Sequence, residues 1–417
     1  MSTYREIFAN SEFRNLWIGS ALSNASATMT SLTLALMVDA ATGSALLAAA
    51  IMFGPSLAQV LGLSTLMSAA DTARPRLILT LLSVLATVEV AAQAAFDLPP
   101  GARLLLALAL AYGLSIGSGA RWGLLSEVVD ERQFVLGRSA INLSVGAMQI
   151  AGFGIAGVLL QTLSPSTVLW LAVGFSAVAV LVNRFGLRDR PPRRVARTGL
   201  AETWRGNRTL LAQRRTRPLL LALALPNGLI VGCEALFVPY AGSRAGWLLA
   251  AGAAGMMTGD LVVGRFLTRN GRRVAAQFLR FVLAVPFLGF AFDLPIAALC
   301  VLVAIGSIGY SASLAQQELL VDLTPPELRG QVLGLESALR MTTFGVVAIL
   351  AGALADLTSA APAMTLCAAA SLLVSIILTG PLRRIGSPHG SGGASERLEA
   401  VRTAGDPDRR RPAPERG

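Results

Sequence analysis

Long apolar runs, separated by short breaks that carry arginine or turn-forming residues, constrain the fold of this chain more than any other feature. A helix that crosses the hydrocarbon core of a bilayer needs about 20 mainly apolar residues. Twelve runs come close to that length: residues 15–38, 44–68, 77–96, 101–120, 139–161, 166–183, 218–241, 246–267, 274–292, 295–317, 331–355 and 361–380. The sequence therefore predicts an all-α polytopic membrane protein with twelve transmembrane helices.

The composition fits a membrane protein and excludes several kinds of chemistry. Only 14% of the 417 residues are charged, whereas soluble domains carry about a quarter. All 35 basic residues are arginine, so the chain lacks the lysine of a nucleotide-binding P-loop or a Schiff-base enzyme. Cys233, Cys300 and Cys367 stand singly in apolar runs, and the one histidine, His389, lies in a Gly/Ser/Pro-rich tail. We therefore expect no enzyme activity, no metal site and no cofactor.

The placement of arginine predicts the orientation, because cytoplasmic loops carry the excess of positive charge. With the N-terminus inside, the arginine-bearing breaks before the third, fifth, ninth and eleventh runs fall in the cytoplasm. Only Arg103 and Arg244 are then assigned to the outside. We expect a multi-pass plasma membrane protein with both termini in the cytoplasm. We expect no nucleic-acid partner, because the arginines flank membrane segments.

A basic linker divides the chain into two halves of six runs each. The predicted organisation is an N-terminal bundle at 1–183, the linker at 184–217, a C-terminal bundle at 218–382 and a tail at 383–417. Within the linker, residues 201–213 are either a solvated basic loop or an amphipathic helix on the membrane surface, with Trp204, Leu210 and Leu211 on its apolar side. The tail lacks core-forming residues, so we expect it to be disordered.

The two halves carry marks of an internal duplication. The first run begins FRNLWIGSALSN and the seventh TRPLLLALALPN, which pairs Asn24 with Asn227. The tetrapeptide FDLP occurs in the loop before the fourth run and again before the tenth. Its aspartates, Asp97 and Asp293, are suited to cap the helices that follow, with the prolines in the first turn. Equivalent positions in both halves indicate a repeated six-helix unit.

Loop motifs at the ends of the second and eighth runs resemble those of one transporter family. MSAADTARPR keeps two residues of that family's loop motif, Asp71 and Arg76. Its second-half counterpart, DLVVGRFLTRNGRR, keeps three: Gly264, Arg265 and Arg269. With the six-plus-six organisation, residues 10–382 resemble the major facilitator superfamily, and the opening FRNLW resembles its branch of siderophore and drug exporters.

A glycine-rich stretch in the fifth run adds to this resemblance. MQIAGFGIAG keeps Gly152, Gly154 and Gly157 of a motif found in exporters of the superfamily, with Phe153 in place of its proline. The arginine that drug antiporters carry on helix four is absent, and Arg121 stands only at the inner end of that run. These departures leave an importer as an alternative to an exporter.

The resemblance implies two pseudo-symmetric bundles that rock about a substrate site near the membrane midplane. It also implies that the loop with Asp71 and Arg76 latches the inner gate, where Asp71 has Arg121 or a helix N-terminus as a possible partner. The second-half residues Gly264, Arg265 and Arg269 would belong to the same gate.

Polar side chains at mid-depth are the candidates for lining a substrate cavity. In the first run, Asn24, Thr28 and Ser31 have the i, i+4, i+7 spacing of one helix face. Further candidates are Asn227 in the seventh run, and Asn142 and Gln149 in the fifth. The alternative is that these side chains only bond neighbouring helices, as is common for such residues in membranes.

Four charged residues within predicted membrane segments are the candidates for proton coupling, because a charge there costs about 2.5–3.5 kcal/mol on insertion scales. They are Glu89, Glu234, Glu336 and Arg340. A carboxylate that meets an arginine in one conformation and an apolar wall in the other would bind a proton in one state and release it in the other. Glu234 and Glu89 are the expected proton carriers, with Arg340 as the competing cation. The alternative for Glu336 and Arg340 is a self-neutralising i, i+4 pair.

Three functions remain open from the sequence. The first is a monomeric secondary transporter that exports a small amphipathic or apolar molecule, such as a drug or metabolite, with the proton gradient as its energy source. The second is an importer or facilitator of a small nutrient. The third is a membrane receptor or scaffold that does not transport.

Overall fold

The computed structural model describes residues 4–70, 74–191, 207–208, 210–213, 215–325 and 328–386, without the side chains of 67–70, 118, 131, 132 and 135. Within these residues, eleven helical stretches are long and apolar enough to cross a membrane. One of them, Thr216–Phe266, has 51 residues, about 75 Å of helix against a hydrocarbon core of about 30 Å. It contains two helices joined by a turn at Gly242, where φ is 56°. The twelve predicted crossings are therefore present.

Each crossing in the N-terminal bundle is one continuous helix. The six are α1 (Ser11–Thr42), α2 (Ala45–Ala70), α3 (Pro75–Ala95), α4 (Pro100–Val128), α5 (Glu131–Leu159) and α6 (Pro165–Gly186). A short helix, Tyr4–Ala9, precedes them.

Three crossings in the C-terminal bundle are interrupted. The six are α7 (Thr216–Glu234, then Phe237–Ala241), α8 (Ala245–Phe266), α9 (Arg269–Ala284, then a 3₁₀ turn at Pro286–Ala291), α10 (Ile296–Ile308, a 3₁₀ turn at Gly309–Ser311, then Ala312–Asp322), α11 (Arg329–Leu357) and α12 (Ala360–Gly386). The interruptions fall in α7, α9 and α10.

Several helices extend beyond the apolar runs that predicted them. The fourth run ends at residue 120, yet α4 continues to Val128, and α5 begins at Glu131, before its run starts at 139. An apolar run marks only the part of a helix inside the hydrocarbon core. Turns of mixed polarity at the membrane surface still form helix, so the predicted bounds are too short at this end.

Local capping sets several helix starts. The Asn10 side chain accepts hydrogen bonds from the backbone N–H groups of Glu12 and Phe13, at 3.0 and 3.3 Å, and so caps α1. The prediction that Asp97 and Asp293 cap the helices after FDLP is wrong. Pro99 and Pro295 occupy the N-cap positions themselves, with no side-chain cap bond. Each aspartate lies two residues earlier, too far back for its carboxylate to reach the first free N–H groups.

The helix pairing repeats between the two bundles. In the N-terminal bundle α1 packs on α5 and α6, α2 on α4, and α3 on α6; in the C-terminal bundle α7 packs on α11 and α12, α8 on α10, and α9 on α12. The bundles meet through α2 with α11 and α5 with α8, which are equivalent pairs. This arrangement confirms the duplication inferred from the repeated sequence marks.

The apolar core is continuous at one end of the molecule and divided at the other. We call the end with the turns after α1, α3 and α5 the outer end, and the end with the chain termini the inner end. The outer cluster joins both bundles, as Met29 and Val38 of one and Phe237, Phe290 and Ala351 of the other belong to it. At the inner end the N-terminal bundle and the C-terminal bundle have separate clusters. The bundles are therefore packed together at the outer end.

The last part of the linker before α7 packs on the inner end of the C-terminal bundle. Leu210 is fully buried in the same cluster as Leu219, Leu320 and Val332, whereas Leu211 is 39% exposed. Leu210 thus contacts protein instead of the membrane surface. The remaining apolar residue of the predicted amphipathic helix, Trp204, and the tail from residue 387 lie outside the described residues.

Candidate functional site

An aspartate closes the outer end across the two bundles. Asp356, near the end of α11, accepts hydrogen bonds from the backbone N–H of Ala45 at 2.6 Å and from Ser44 Oγ at 2.8 Å. Both donors belong to the start of α2 in the other bundle. A carboxylate at a helix N-terminus satisfies free N–H groups and is favoured by the helix dipole. Asp356 therefore holds the outer ends of α2 and α11 together.

Glycines bring the backbones of the two bundles into contact at the same end. A Cβ on Gly246 of α8 would lie 2.6 Å from the Cα of Gly157 on α5, and one on Gly352 of α11 would lie 2.7 Å from the Cα of Leu46 on α2. Only glycine permits this approach, as in other small-residue contacts between membrane helices. The outer end is closed by backbone packing as well as by Asp356.

The three glycines predicted on helix five divide between two neighbours. Gly152 faces Thr28 of α1, where an added Cβ would lie 2.9 Å from the threonine Cβ. Gly154 and Gly157 face α8 of the other bundle, opposite Ala250 and Gly246. The motif lies at the junction of α1, α5 and α8.

Glu234 lies below this closure, at two helix interruptions. It is the last residue of the first part of α7, and its Oε1 accepts a hydrogen bond from Tyr310 Oη at 3.1 Å. Tyr310 is in the 3₁₀ turn of α10, and both side chains are partly exposed. Irregular backbone at membrane depth is tolerated only where it is buried in protein or lines a cavity. Glu234 and Tyr310 therefore form a polar pair that joins two helix interruptions inside the C-terminal bundle.

The predicted cavity residues of α1 bond to their own helix and to α5. Asn24 Nδ2 donates to the carbonyl oxygen of Val145 on α5 at 3.0 Å. Thr28 Oγ1 donates to the Asn24 carbonyl oxygen at 2.5 Å, and Ser31 Oγ donates to that of Thr28 at 3.3 Å. Thr28 is buried, whereas Asn24 and Ser31 are partly exposed.

The remaining cavity candidates differ in exposure. Asn142 is exposed and Gln149 is partly exposed on α5. Asn227, the repeat partner of Asn24, is buried, and its Nδ2 donates to the Leu223 carbonyl oxygen of its own helix at 3.0 Å. The two repeat partners thus make different bonds, one between helices and one within a helix.

Glu336 and Arg340 form an ion pair within α11. Arg340 Nε donates to Glu336 Oε1 at 3.1 Å, and Gln317 Nε2 of α10 donates to Oε2 at 3.3 Å. Glu336 is 3% exposed, and the guanidinium carbon of Arg340 lies 5.7 Å from the ring centre of Phe344. In this conformation Arg340 neutralises Glu336 instead of contacting Glu234.

Glu89 belongs to a buried network inside the N-terminal bundle. Its Oε1 accepts from Gln93 Nε2 at 2.9 Å, and Arg103 Nη1 donates to the Gln93 carbonyl oxygen at 3.0 Å. Arg103 Nε also donates to the Leu98 carbonyl oxygen at 3.0 Å. All three side chains are at least nine-tenths buried. Arg103, which the sequence assigns to the outside, lies in the first turn of α4 and ties the preceding loop to α3.

At the inner end, the predicted gate residues of the first loop pair within their own bundle. Arg76 lies 3.6 Å from Asp189, which follows α6. Asp71 lies outside the described residues, and Arg121 is partly buried near the inner end of α4. Arg190 pairs with Glu12, and these hydrogen bonds raise the pKa of Arg190.

The predicted gate residues of the second half also pair within their own bundle. Arg269, at the start of α9, donates to Asp322 Oδ1 at 2.5 Å, and Arg272 donates to Glu318 Oε1 at 2.5 Å. Gly264 and Arg265 are exposed at the end of α8. These ion pairs join α9 to α10 within the C-terminal bundle. They do not connect the two bundles at the inner end.

Sequence reasoning missed Tyr310 and Asp356. Tyr310 follows Gly306 and Gly309 in IGSIGY, and Gly309 packs against the backbone of Leu283, where an added Cβ would lie 2.4 Å from its nitrogen. These glycines were the available signal for an interruption in α10. Asp356 reads as an ordinary loop residue, and no local signal indicates its partner 311 residues away.

Two six-helix bundles that repeat one packing scheme and meet through α2, α11, α5 and α8 are the fold of the major facilitator superfamily. The protein is a multi-pass membrane protein with this fold. Solved structures agree over nearly the whole chain. The nucleoside transporter NupG matches with a TM-score of 0.74 at 13% identity, covering 89% of this chain and 99% of that one. A POT family transporter in complex with a thioalcohol-conjugated peptide matches with a TM-score of 0.70 at 11% identity, covering 90% and 96%.

A relative in sequence is the multidrug efflux pump Tap of Mycolicibacterium fortuitum, which is 29% identical over 221 residues. The match covers 50% of this chain and 53% of that pump, so the chain matches about half the length of this curated relative. No protein-family model matches the chain. These similar proteins are transporters, not enzymes.

Proposed function

We propose that the protein is a secondary active transporter that exports a small amphipathic or apolar molecule by alternating access, driven by the proton gradient. The observation that carries this proposal is the pair formed by Glu234 and Tyr310. It lies at two interrupted helices, beneath an outer end that is closed between the bundles. A protonatable group at such a place can exchange protons with one side at a time.

The coupling follows from electrostatics. When Glu234 is charged, the Tyr310 hydroxyl donates to it and stabilises that form. Protonation removes the charge that this hydrogen bond stabilises, so the neutral carboxyl group can move into an apolar environment. Coupling requires that the outer end opens only after Glu234 has released its proton at the inner end and substrate has bound. Substrate then leaves at the outer end and a proton binds there, so proton entry drives substrate exit. Arg340 is the cation that would compete for Glu234 after rearrangement of its pair with Glu336.

The direction of transport rests on the likeness to the efflux pump Tap. A nucleoside transporter and POT family transporters share the fold at 11–13% identity, which shows the fold alone. Import of a small nutrient is therefore the second candidate function. It is supported by Phe153, which stands where exporters have a proline. We place the inner end in the cytoplasm and expect each monomer to contain a complete path.

The test is accumulation of a compound panel in cells with and without the protein. We expect lower accumulation of at least one amphipathic compound in cells that carry the protein, with the difference abolished by a protonophore. Higher accumulation would favour import. A difference that persists after the proton gradient has collapsed would contradict proton coupling.

A further inference from the structure

A pocket of about 510 Å³ lies within the C-terminal bundle, with walls from α7, α9, α10 and α12. Every described residue that lines it belongs to the C-terminal bundle, so the pocket lies within one bundle and not between the two. Among the residues that the structure describes, no acidic side chain lines it. Its polar lining consists of three arginines and three amides: Arg273, Arg280, Arg383, Asn270, Gln277 and Gln316. The lining therefore carries three positive charges.

The spacing of residues on α9 directs two of these arginines into the pocket. Arg273, Ala276, Gln277 and Arg280 all line it, and their i, i+3, i+4, i+7 spacing puts them on one helix face. Arg273 lies near the inner end of α9, and Arg280 lies about 10 Å further along the helix. The pocket thus extends from the inner end into the membrane-spanning part of the bundle.

Arg280 carries a buried nitrogen without a partner. The residue is 3% exposed, and its Nε donates to the Ala276 carbonyl oxygen at 3.4 Å, one turn nearer the inner end. Its Nη1 is buried and has no hydrogen-bond partner among the described residues. The same is true of Arg273 Nε, although Arg273 Nη2 donates to Asp322 at 3.0 Å.

Buried guanidinium nitrogens without partners are costly, so they indicate a ligand that accepts hydrogen bonds and carries negative charge. A phosphate group supplies several charged acceptor oxygens that match the donor geometry of arginine. We propose that this pocket binds the phosphate of an anionic phospholipid from the leaflet at the inner end. The site is independent of the transport proposed above.

The surroundings of the pocket favour a lipid over a soluble anion. Val274 lines the pocket and is 50% exposed, and Phe278, one turn further into the membrane on α9, is 66% exposed. An exposed apolar surface beside a cationic pocket suits a molecule whose phosphate joins acyl chains. A free phosphate ion would gain nothing from this surface.

The experiment is native mass spectrometry of the full chain in detergent, titrated with phosphatidylglycerol. We expect wild type to bind one such lipid tightly and Arg280→Gln to bind it at least about tenfold more weakly, the loss expected for a charged hydrogen bond. The matched control is Arg384→Gln, which removes an equal charge from an exposed neighbour of Arg383 that does not line the pocket. It should bind as wild type does.

A second variant keeps the proposal testable if Arg280→Gln fails to fold. Leu382→Trp retains every charge and fills part of the pocket, so it should also weaken lipid binding. Wild-type binding by folded Arg280→Gln or Leu382→Trp would overturn the proposal. Displacement of the lipid by an equal concentration of inorganic phosphate would assign the site to the free ion. Equally tight binding of phosphatidylcholine would overturn the preference for an anionic lipid.

Discussion

Two membrane carboxylates that look equivalent in the sequence have different surroundings in the structure. Glu234 is partly exposed at helix interruptions and accepts one bond from a tyrosine. Glu89 is buried beneath Gln93 and Arg103, in a network that fastens the loop after α3. The first environment suits a group that changes its protonation during transport, and the second suits a structural role.

We therefore expect Glu234→Gln and Glu89→Gln to have separate effects. Glutamine at 234 cannot release a proton, so gradient-driven transport should fall to the background of cells without the protein, while the purified variant melts as wild type does. Glutamine at 89 should retain gradient-driven transport and lower the melting temperature. The measurements are uptake or efflux in proteoliposomes with an imposed pH gradient and thermal melting in detergent. Full gradient-driven transport by Glu234→Gln would remove it from the mechanism.

The sequence identified Glu234, Glu89 and the Glu336–Arg340 pair because charges in apolar runs are rare and helical spacing is readable. It could not identify Tyr310 as the donor to Glu234, because that contact depends on how α7 and α10 pack. It could not separate Glu234 from Glu89 either, since burial by other helices decides the difference. The cavity role of Asn24, Asn142 and Gln149 stays a prediction.

At the scale of helices, the contact between α5 and α8 depends on glycine. Gly246→Ala would put a Cβ 2.6 Å from the Cα of Gly157, and neither backbone can yield without separating the helices. Overpacking of this kind costs about 1–3 kcal/mol, so we expect a lower melting temperature and slower transport. Gly174→Ala on α6 is the control, because no atom lies within 4 Å of the added Cβ. Equal melting of the two variants would contradict the close contact.

The cap that α11 provides to α2 makes a second prediction about helices. Asp356→Ala removes the acceptor for Ala45 N–H and Ser44 Oγ, and losing such a cap costs about 1 kcal/mol. Because the cap exists only while the outer end is closed, the ratio of open to closed molecules should rise about fivefold. Spin labels on Thr162→Cys and Arg244→Cys, in exposed outer turns of the two bundles, would measure the distance. An unchanged distance distribution would show that Asp356 does not hold the outer end.

Helix number and bundle division were predictable because the membrane demands apolar runs and arginine marks one side of it. The ends of the helices were less predictable, because α4 and α5 extend beyond their apolar runs into polar sequence. The interruption after Glu234 in α7 was not predicted, since Leu236 and Phe237 continue the apolar run.

For the whole molecule, alternating access requires the outer end to open in each cycle. Ser44→Cys with Asp356→Cys places two thiols where Ser44 Oγ and Asp356 Oδ2 are 2.8 Å apart. We expect oxidation to stop transport and a reducing agent to restore it, with each single variant unaffected by oxidant. Transport at the reduced rate by fully crosslinked protein would contradict a path that opens between the bundles.

The interrupted helices also make the two repeats mechanically unequal. Bending a helix costs least where its hydrogen-bond ladder is already broken. The helix is interrupted in α7, α9 and α10, whereas in α1 to α6 no helix is interrupted and Pro55 inside α2 removes a bond from the ladder. We expect the N-terminal bundle to move as a stiff body and the C-terminal bundle to absorb most of the deformation. The two halves thus share one topology but differ in expected flexibility, with most of the bending in the C-terminal bundle.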